Sequence, residues 1–169
     1  MERISLARRP CPIARAMDQI GDAWSMLLVR DIYLGTHRFA DLQAQLGIAP
    51  NILTRRLEQL VEHGVLEART YSTRPLRREY VLTEKGEGLL SVLLAVATWG
   101  NEWLAPKGAP LLPVDALTGK AVRPVLIDAL SGKPLGPGSV GLVAGPGAPA
   151  ALKKTLRKPR LFVSQRKTP

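Results

Sequence analysis

Asn51, Thr54, Arg55 and Glu58 recur at three- and four-residue intervals, the spacing of one helix face. A carboxamide, a hydroxyl and a guanidinium side by side can read base edges in a DNA major groove, Asn best with adenine and Arg with guanine. The opposite face carries Leu53, Leu57, Leu60 and Val61 at the i, i+4, i+7 and i+8 positions of an amphipathic helix. Pro50 fits the first helical position, and Gly64 fits just past the last turn. Any surface helix has a polar face, so this stretch alone equally fits a helix that merely packs. Its neighbours decide between the two.

Other chemistry is sparse. His37 and His63 each sit at a helix edge with no carboxylate or cysteine cluster around them, as surface residues or, for His37, a phosphate contact. No Walker-type loop, nucleotide-binding glycine fingerprint or metal-ligand run is present, so the sequence points away from an enzyme and nominates no cofactor or metal. The single cysteine, Cys11, excludes an internal disulfide framework and suits the cytosol. No apolar run is long enough to span a membrane, and no apolar stretch follows the charged N-terminus as a secretion signal would require.

The elements that must position the polar face read as follows. Ile13–Ile20 forms a first helix ended by Gly21. Asp22 caps a second, Trp24–Leu34, whose Trp24, Leu27, Leu28 and Ile32 pack inward. A third helix, about Arg38–Leu46, presents Phe39, Leu42 and Leu46, and Gly47 turns the chain into the helix at 50–63 with Ile48 plugging the corner. Two short helices joined by a glycine turn form a helix–turn–helix. Residues 65–71 and 79–82 then read as strands around a hairpin loop at 72–77. From Arg69 to Arg78 that hairpin holds four arginines and no acid, as a wing reaching phosphates or a minor groove would. Thr83 caps a long helix from Glu84 to about Leu104, apolar over so wide an arc that a second copy of the chain is its economical partner.

Charge is unevenly spread over the 169 residues, whose net charge is +10. Residues 1–104 are nearly balanced at +1, and residues 105–169 carry +9. Bulk basicity therefore says little about the front part, where local patches must carry any nucleic-acid argument.

Cys11-Pro-Ile-Ala-Arg-Ala-Met-Asp-Gln-Ile-Gly-Asp-Ala-Trp24, Leu28-Val-Arg-Asp31, Gly35, Arg38-Phe39, Leu42, Leu53-Thr-Arg-Arg-Leu57, Gly64-Val-Leu66, Tyr80-Val-Leu-Thr83 and Gly86 together resemble the HxlR family over about residues 10–104. That family comprises winged-helix bacterial transcriptional regulators related to the MarR type. The resemblance implies a mainly α fold with a small β-hairpin wing. It also implies a homodimer, formed through the N-terminal and long C-terminal helices, on double-stranded operator DNA. Asn51, Thr54 and Arg55 would face bases; Arg38, Arg56, Arg74, Arg77 and Arg78 would complete the DNA contacts, Arg56 and the wing arginines on phosphates. Glu58 would pair with Arg55 in preference to accepting a hydrogen bond from a cytosine amine. Ala49 departs from the family, which usually has Ser before the proline; an apolar cap costs about 0.5–2 kcal/mol. Cys11 matches the family's Cys-Pro motif, and in some members such a thiol senses oxidants or electrophiles; a small half-buried residue is the plainer role.

The domain expectation is 1–104 for DNA binding and dimerisation, 105–138 for a β-hairpin extension, and 139–169 for a flexible basic tail. The extension repeats Asp115-Ala-Leu-Thr-Gly-Lys120 as Asp128-Ala-Leu-Ser-Gly-Lys133, and resembles a zinc ribbon without its cysteines. Asp and hydroxyls suit structural zinc poorly, so the turns are expected to be held by Asp side-chain bonds to backbone, with no metal. The tail's cations would add non-specific DNA affinity or merely solubilise. The expected function is a dimeric transcriptional repressor at the nucleoid in the cytoplasm, with a small-molecule effector of unknown identity. The alternatives are a thiol-sensing regulator acting through Cys11 and a winged-helix protein adaptor, the latter disfavoured by a polar and basic, not acidic, outward face.

Overall fold

The computed structural model describes residues 5–163. The N-terminal charges before Ser5 and the tail cations Arg166 and Lys167 lie outside the described residues. Two compact units divide the chain, one running to Pro110 and the other from Leu111.

The first unit is built from α1 (Pro12–Ile20), α2 (Ser25–Tyr33), α3 (Phe39–Leu46), α4 (Pro50–Glu62), β1 (Leu66–Thr73), β2 (Leu76–Leu82), α5 (Glu84–Glu87) and α6 (Leu90–Trp103). Mostly helical with one antiparallel hairpin, it is a winged helix. Its core joins Leu28, Val29 and Ile32 of α2, Leu42 of α3, Ile48 of the turn, Leu53, Leu57 and Leu60 of α4, and Val65 and Leu66 leading into the hairpin. All three α4 leucines are 0% exposed, so the expected leucine face is the buried one. Gly47 adopts φ 61°, the left-handed turn that redirects α3 into α4.

Asp22 does cap the second helix, one turn ahead of its formal start. Its carboxylate accepts the amides of Trp24 (2.9 Å) and Ser25 (3.1 Å) and the Ser25 hydroxyl. Burial alone would push this carboxyl up; the Ser25 hydroxyl, the two amides and the nearby Arg56 charge outweigh it, leaving the pKa below the ordinary value.

Two expectations for the first unit need correcting. The helix expected from Glu84 to Leu104 is two helices. Gly86 lies so close to Val65 that an added Cβ would sit 2.3 Å from its carbonyl oxygen, and the chain tightens there through a Leu89 N–H to Gly86 C=O bond of 3.0 Å. The hairpin loop expected at 72–77 shrinks to Arg74-Pro75, because both strands run further than their alternation suggests. The register also shifts between Thr70 and Ser72, a bulge at Tyr71. On α1 Ile20 is the one buried residue, while Ile13 and Met17 are exposed.

The second unit forms two small hairpins, bridged Val114 to Ala121 and Ile127 to Pro134. Each turn is held as expected by its aspartate: Asp115 accepts the Thr118 amide at 2.7 Å, and Asp128 accepts the Leu130 and Ser131 amides at 3.2 Å. Gly119 and Gly132 take φ 67° and 68°, so the repeat is one geometry used twice. The segment expected to be linker and flexible tail instead folds as β3 (Gly141–Leu142), α7 (Ala150–Thr155) and β4 (Arg160–Leu161), with β3 and β4 antiparallel. Leu142, Leu152, Leu156, Leu161 and Phe162 line one pocket of about 370 Å³ there, an apolar cluster that the surrounding glycines and prolines disguise.

Replacing Asp22 by Ala should destabilise the first unit by about 0.5–2 kcal/mol at neutral pH. Because the folded carboxyl titrates below its unfolded value, its contribution is present above the unfolded pKa and is lost as pH falls through the folded one. Thermal melts of the two proteins should therefore converge in acid. An equal gap at every pH would show that the carboxylate charge contributes nothing.

Candidate nucleic-acid interface

With the leucines inward, α4 turns Asn51, Thr54, Arg55 and Glu58 to solvent, all four exposed. Ala49 at the N-cap offers no side-chain bond, and the Asn51 carboxamide oxygen accepts the Ile52 amide at 2.9 Å. Asn51 thus supplies at the first turn part of what a Ser cap would have given, and keeps its NH2 outward. The Arg55–Glu58 pair expected from the sequence is not among the ion pairs of the described residues. Glu58 instead acts on Tyr80 of β2: burial chiefly raises that phenol's pKa, Arg78 opposes and Glu58 adds to the rise.

Arg56 is placed differently from its neighbour. Its side chain is only 15% exposed, its Nε lies 3.2 Å from the Asp22 carboxylate, and it donates to Gln59 at 2.7 Å. It fastens α4 to the loop before α2.

The wing stands beside α4. Arg74, Arg77 and Arg78 are exposed. The fourth arginine, Arg69, grips Glu67 with two 3.1 Å bonds, which lower the carboxyl's pKa and raise the guanidinium's. Three free cations, rather than four, face outward on the hairpin. Arg38 joins them from the start of α3. Its backbone bridges to Glu79 as a short third strand, while His37 accepts the Tyr80 amide on its carbonyl (2.8 Å) and holds Nδ1 3.1 Å from the Tyr80 carbonyl. His37 is thereby a tie between α3 and the wing.

Tyr71 was not legible as a functional residue. The bulge turns its ring under Arg38, whose guanidinium carbon stands 4.8 Å from the ring centroid. Stacking occupies the flat face of a guanidinium and leaves its in-plane N–H donors available. Arg38, Phe39, Tyr71, Leu76, Arg77 and Arg78 line one open groove of about 690 Å³. The one signal in the sequence was the break in strand alternation at Tyr71. Cys11 is exposed at the N-cap of α1, remote in sequence from this groove. Among the described residues no helix is long and apolar enough to cross a membrane, and no group of His, Cys, Asp or Glu is placed to hold a metal.

A helix–turn–helix with a basic hairpin beside its second helix defines a winged-helix transcriptional regulator. Residues 19–108 match the model of the HxlR-like helix-turn-helix family. The uncharacterized HTH-type transcriptional regulator Rv3095 of Mycobacterium tuberculosis is 35% identical over 83% of this chain and 89% of its own length. Among solved structures, PA1607, described as a candidate transcription factor, is similar at TM-score 0.75 and 39% identity, over 83% of this chain and 99% of its own. The redox regulator HypR in its reduced form is similar at TM-score 0.51 and 29% identity, over 54% of this chain and 92% of its own. The chain belongs to the HxlR-like helix-turn-helix family, one of DNA-binding transcriptional regulators.

If Tyr71 positions Arg38, Tyr71→Leu should weaken DNA binding about two- to fivefold, the worth of an exposed cation–π contact. The salt dependence should stay unchanged, whereas Arg38→Gln should lower the log–log slope by about 0.9. In the Arg38→Gln background Tyr71→Leu should then cost nothing further; a full additional loss would show that the ring acts on its own.

Proposed function

We propose that the protein is a dimeric, sequence-specific repressor whose α4 enters the major groove while its wing tracks phosphates or an adjacent minor groove. The carrying observation is the exposed Asn51–Thr54–Arg55 face standing on a fully buried leucine face, together with the exposed Arg38, Arg74, Arg77 and Arg78. Asn51, Thr54 and Arg55 contact bases; the other four arginines contact the backbone. Residues 5–104 serve DNA binding and dimerisation, and such a regulator works on chromosomal DNA in the cytoplasm.

Dimerisation is supported by α6, which has no buried residue and exposes Val96, Trp99 and Trp103. Ile13 and Met17 of α1 add to that apolar surface. An isologous contact of these helices would hide it and set two recognition helices on one face of the duplex. The apolar cleft between α2 and α6, about 360 Å³ and walled by Leu27, Tyr33, Leu90, Leu93 and Val96, has room for a small apolar effector.

Genomic footprinting should reveal paired half-sites about 10–10.5 base pairs apart or a multiple of that. On such a site Arg55→Ala should cost about 1–3 kcal/mol, with little change on random duplex. Equal losses on both would make Arg55 a phosphate contact; a single unpaired site would remove the dimer.

A second reading, thiol sensing, is favoured by the exposed Cys11 thiol and by the likeness to the redox regulator HypR. Alkylation of Cys11 should then lower operator affinity in the wild type and leave Cys11→Ser untouched; unchanged affinity after complete alkylation rejects it.

A further inference from the structure

The unit from Leu111 onward lies beyond the segment matched by the family model, so nothing in the winged-helix architecture accounts for it. Its described residues, 111–163, include none that is buried. The unit is held by its turns, the β3–β4 pairing and one open apolar cluster, and beside exposed apolar side chains such as Leu117 and Leu130 it presents charge. Lys120, Arg123, Lys133, Lys153, Lys154, Arg157, Lys158 and Arg160 are all exposed there, and no ion pair among the described residues involves any of them.

The two acids of the unit do not offset these cations from nearby; they are consumed by their own turns. Asp115 accepts the Thr118 hydroxyl and amide, each at 2.7 Å. Asp128 accepts the Ser131 hydroxyl at 2.5 Å as well as the amides of Leu130 and Ser131. From residue 129 to the end the sequence contains no Asp or Glu. A surface made for solubility mixes signs, because like charges gathered on one small unit repel each other. Here the repulsion stands uncorrected within the chain, and a polyanion would correct it.

We propose that this unit is a second DNA-contacting element, binding the phosphates of duplex flanking the site read by the winged helix, without base specificity. The proposal rests on the DNA-binding role of the winged helix, which delivers a duplex to the same chain. The geometry of the repeat serves it: Lys120 and Lys133 each follow a left-handed glycine at the end of an aspartate-locked turn, so two cations are offered from preformed positions. The α7 segment adds Lys153, Lys154, Arg157 and Lys158 within six consecutive residues. Binding of this kind releases condensed counterions, and its signature is a salt slope.

The test compares the full-length protein with a full-length quadruple variant, Lys153→Gln, Lys154→Gln, Arg157→Gln and Lys158→Gln, on a long random-sequence duplex over a series of salt concentrations. Since the four side chains are exposed and unpaired, the melting curve should not move. The slope of log affinity against log salt should fall by about 0.9 for each phosphate that the variant no longer neutralises, so by roughly 2 to 3.6 in all, with affinity at low salt at least about tenfold weaker. The Lys153→Arg, Lys154→Arg, Lys158→Arg variant keeps the charge and should keep the slope. An unchanged slope in the Gln variant overturns the proposal and leaves the unit to a protein partner. An unchanged slope together with operator binding that still depends on Arg55 leaves the winged-helix reading standing. Wild-type protein that binds no duplex at all overturns both.

Discussion

Burial of Leu53, Leu57 and Leu60 is the constraint on which the rest of the first unit depends. A fully buried leucine contributes about 1.5–3 kcal/mol, so three of them approach the whole net stability of a small domain. They also fix the rotation of α4 about its own axis. Turning the helix by one residue, about 100°, would bring polar groups into the core and take the leucines out. The polar face that meets DNA is therefore dictated by what the apolar face cannot give up. Arg56 and Asp22 lock the same orientation from the flank, and the Arg38–Glu79 bridge ties the wing to α3.

This explains which parts could be read from the sequence. Helical periodicity and glycine turns marked α1 to α4 because the signal is local, and the buried leucines agree with it residue by residue. Arg55 and Arg56 were harder to separate, since adjacent residues differ in fate only through a partner far along the chain. Asp22, the partner of Arg56, precedes it by a long stretch of helix and turn. Arg69 likewise looked free because its acid, Glu67, lies just outside the arginine-rich run. The constraint on Gly86 was invisible for a related reason: it is set by the carbonyl of Val65, a neighbour in space and not in sequence. Composition misled once, where Gly and Pro around residues 136–149 hid five apolar side chains that gather in one pocket.

The wing shows how a small irregularity carries function. In a regular strand Tyr71 would keep strict alternation with its neighbours; the bulge lets the ring move under Arg38 without moving the cations across the hairpin. A stacked guanidinium has lost much of its rotamer freedom before any ligand arrives, so less is lost on contact with a phosphate. The same economy appears in His37, which gives its ring and its carbonyl to the wing and holds α3 against it.

The aspartate-locked turns of the second unit have one more effect. Hydrogen bonds, first from Thr118 and Ser131, hold the Asp115 and Asp128 carboxyls below their ordinary pKa. No histidine occurs after His63, so every other ionisable side chain of the unit is a lysine or an arginine. The charge of the unit is thus almost all of one sign, and the ions around it, or a chemical modification of its lysines, set how strongly it pulls.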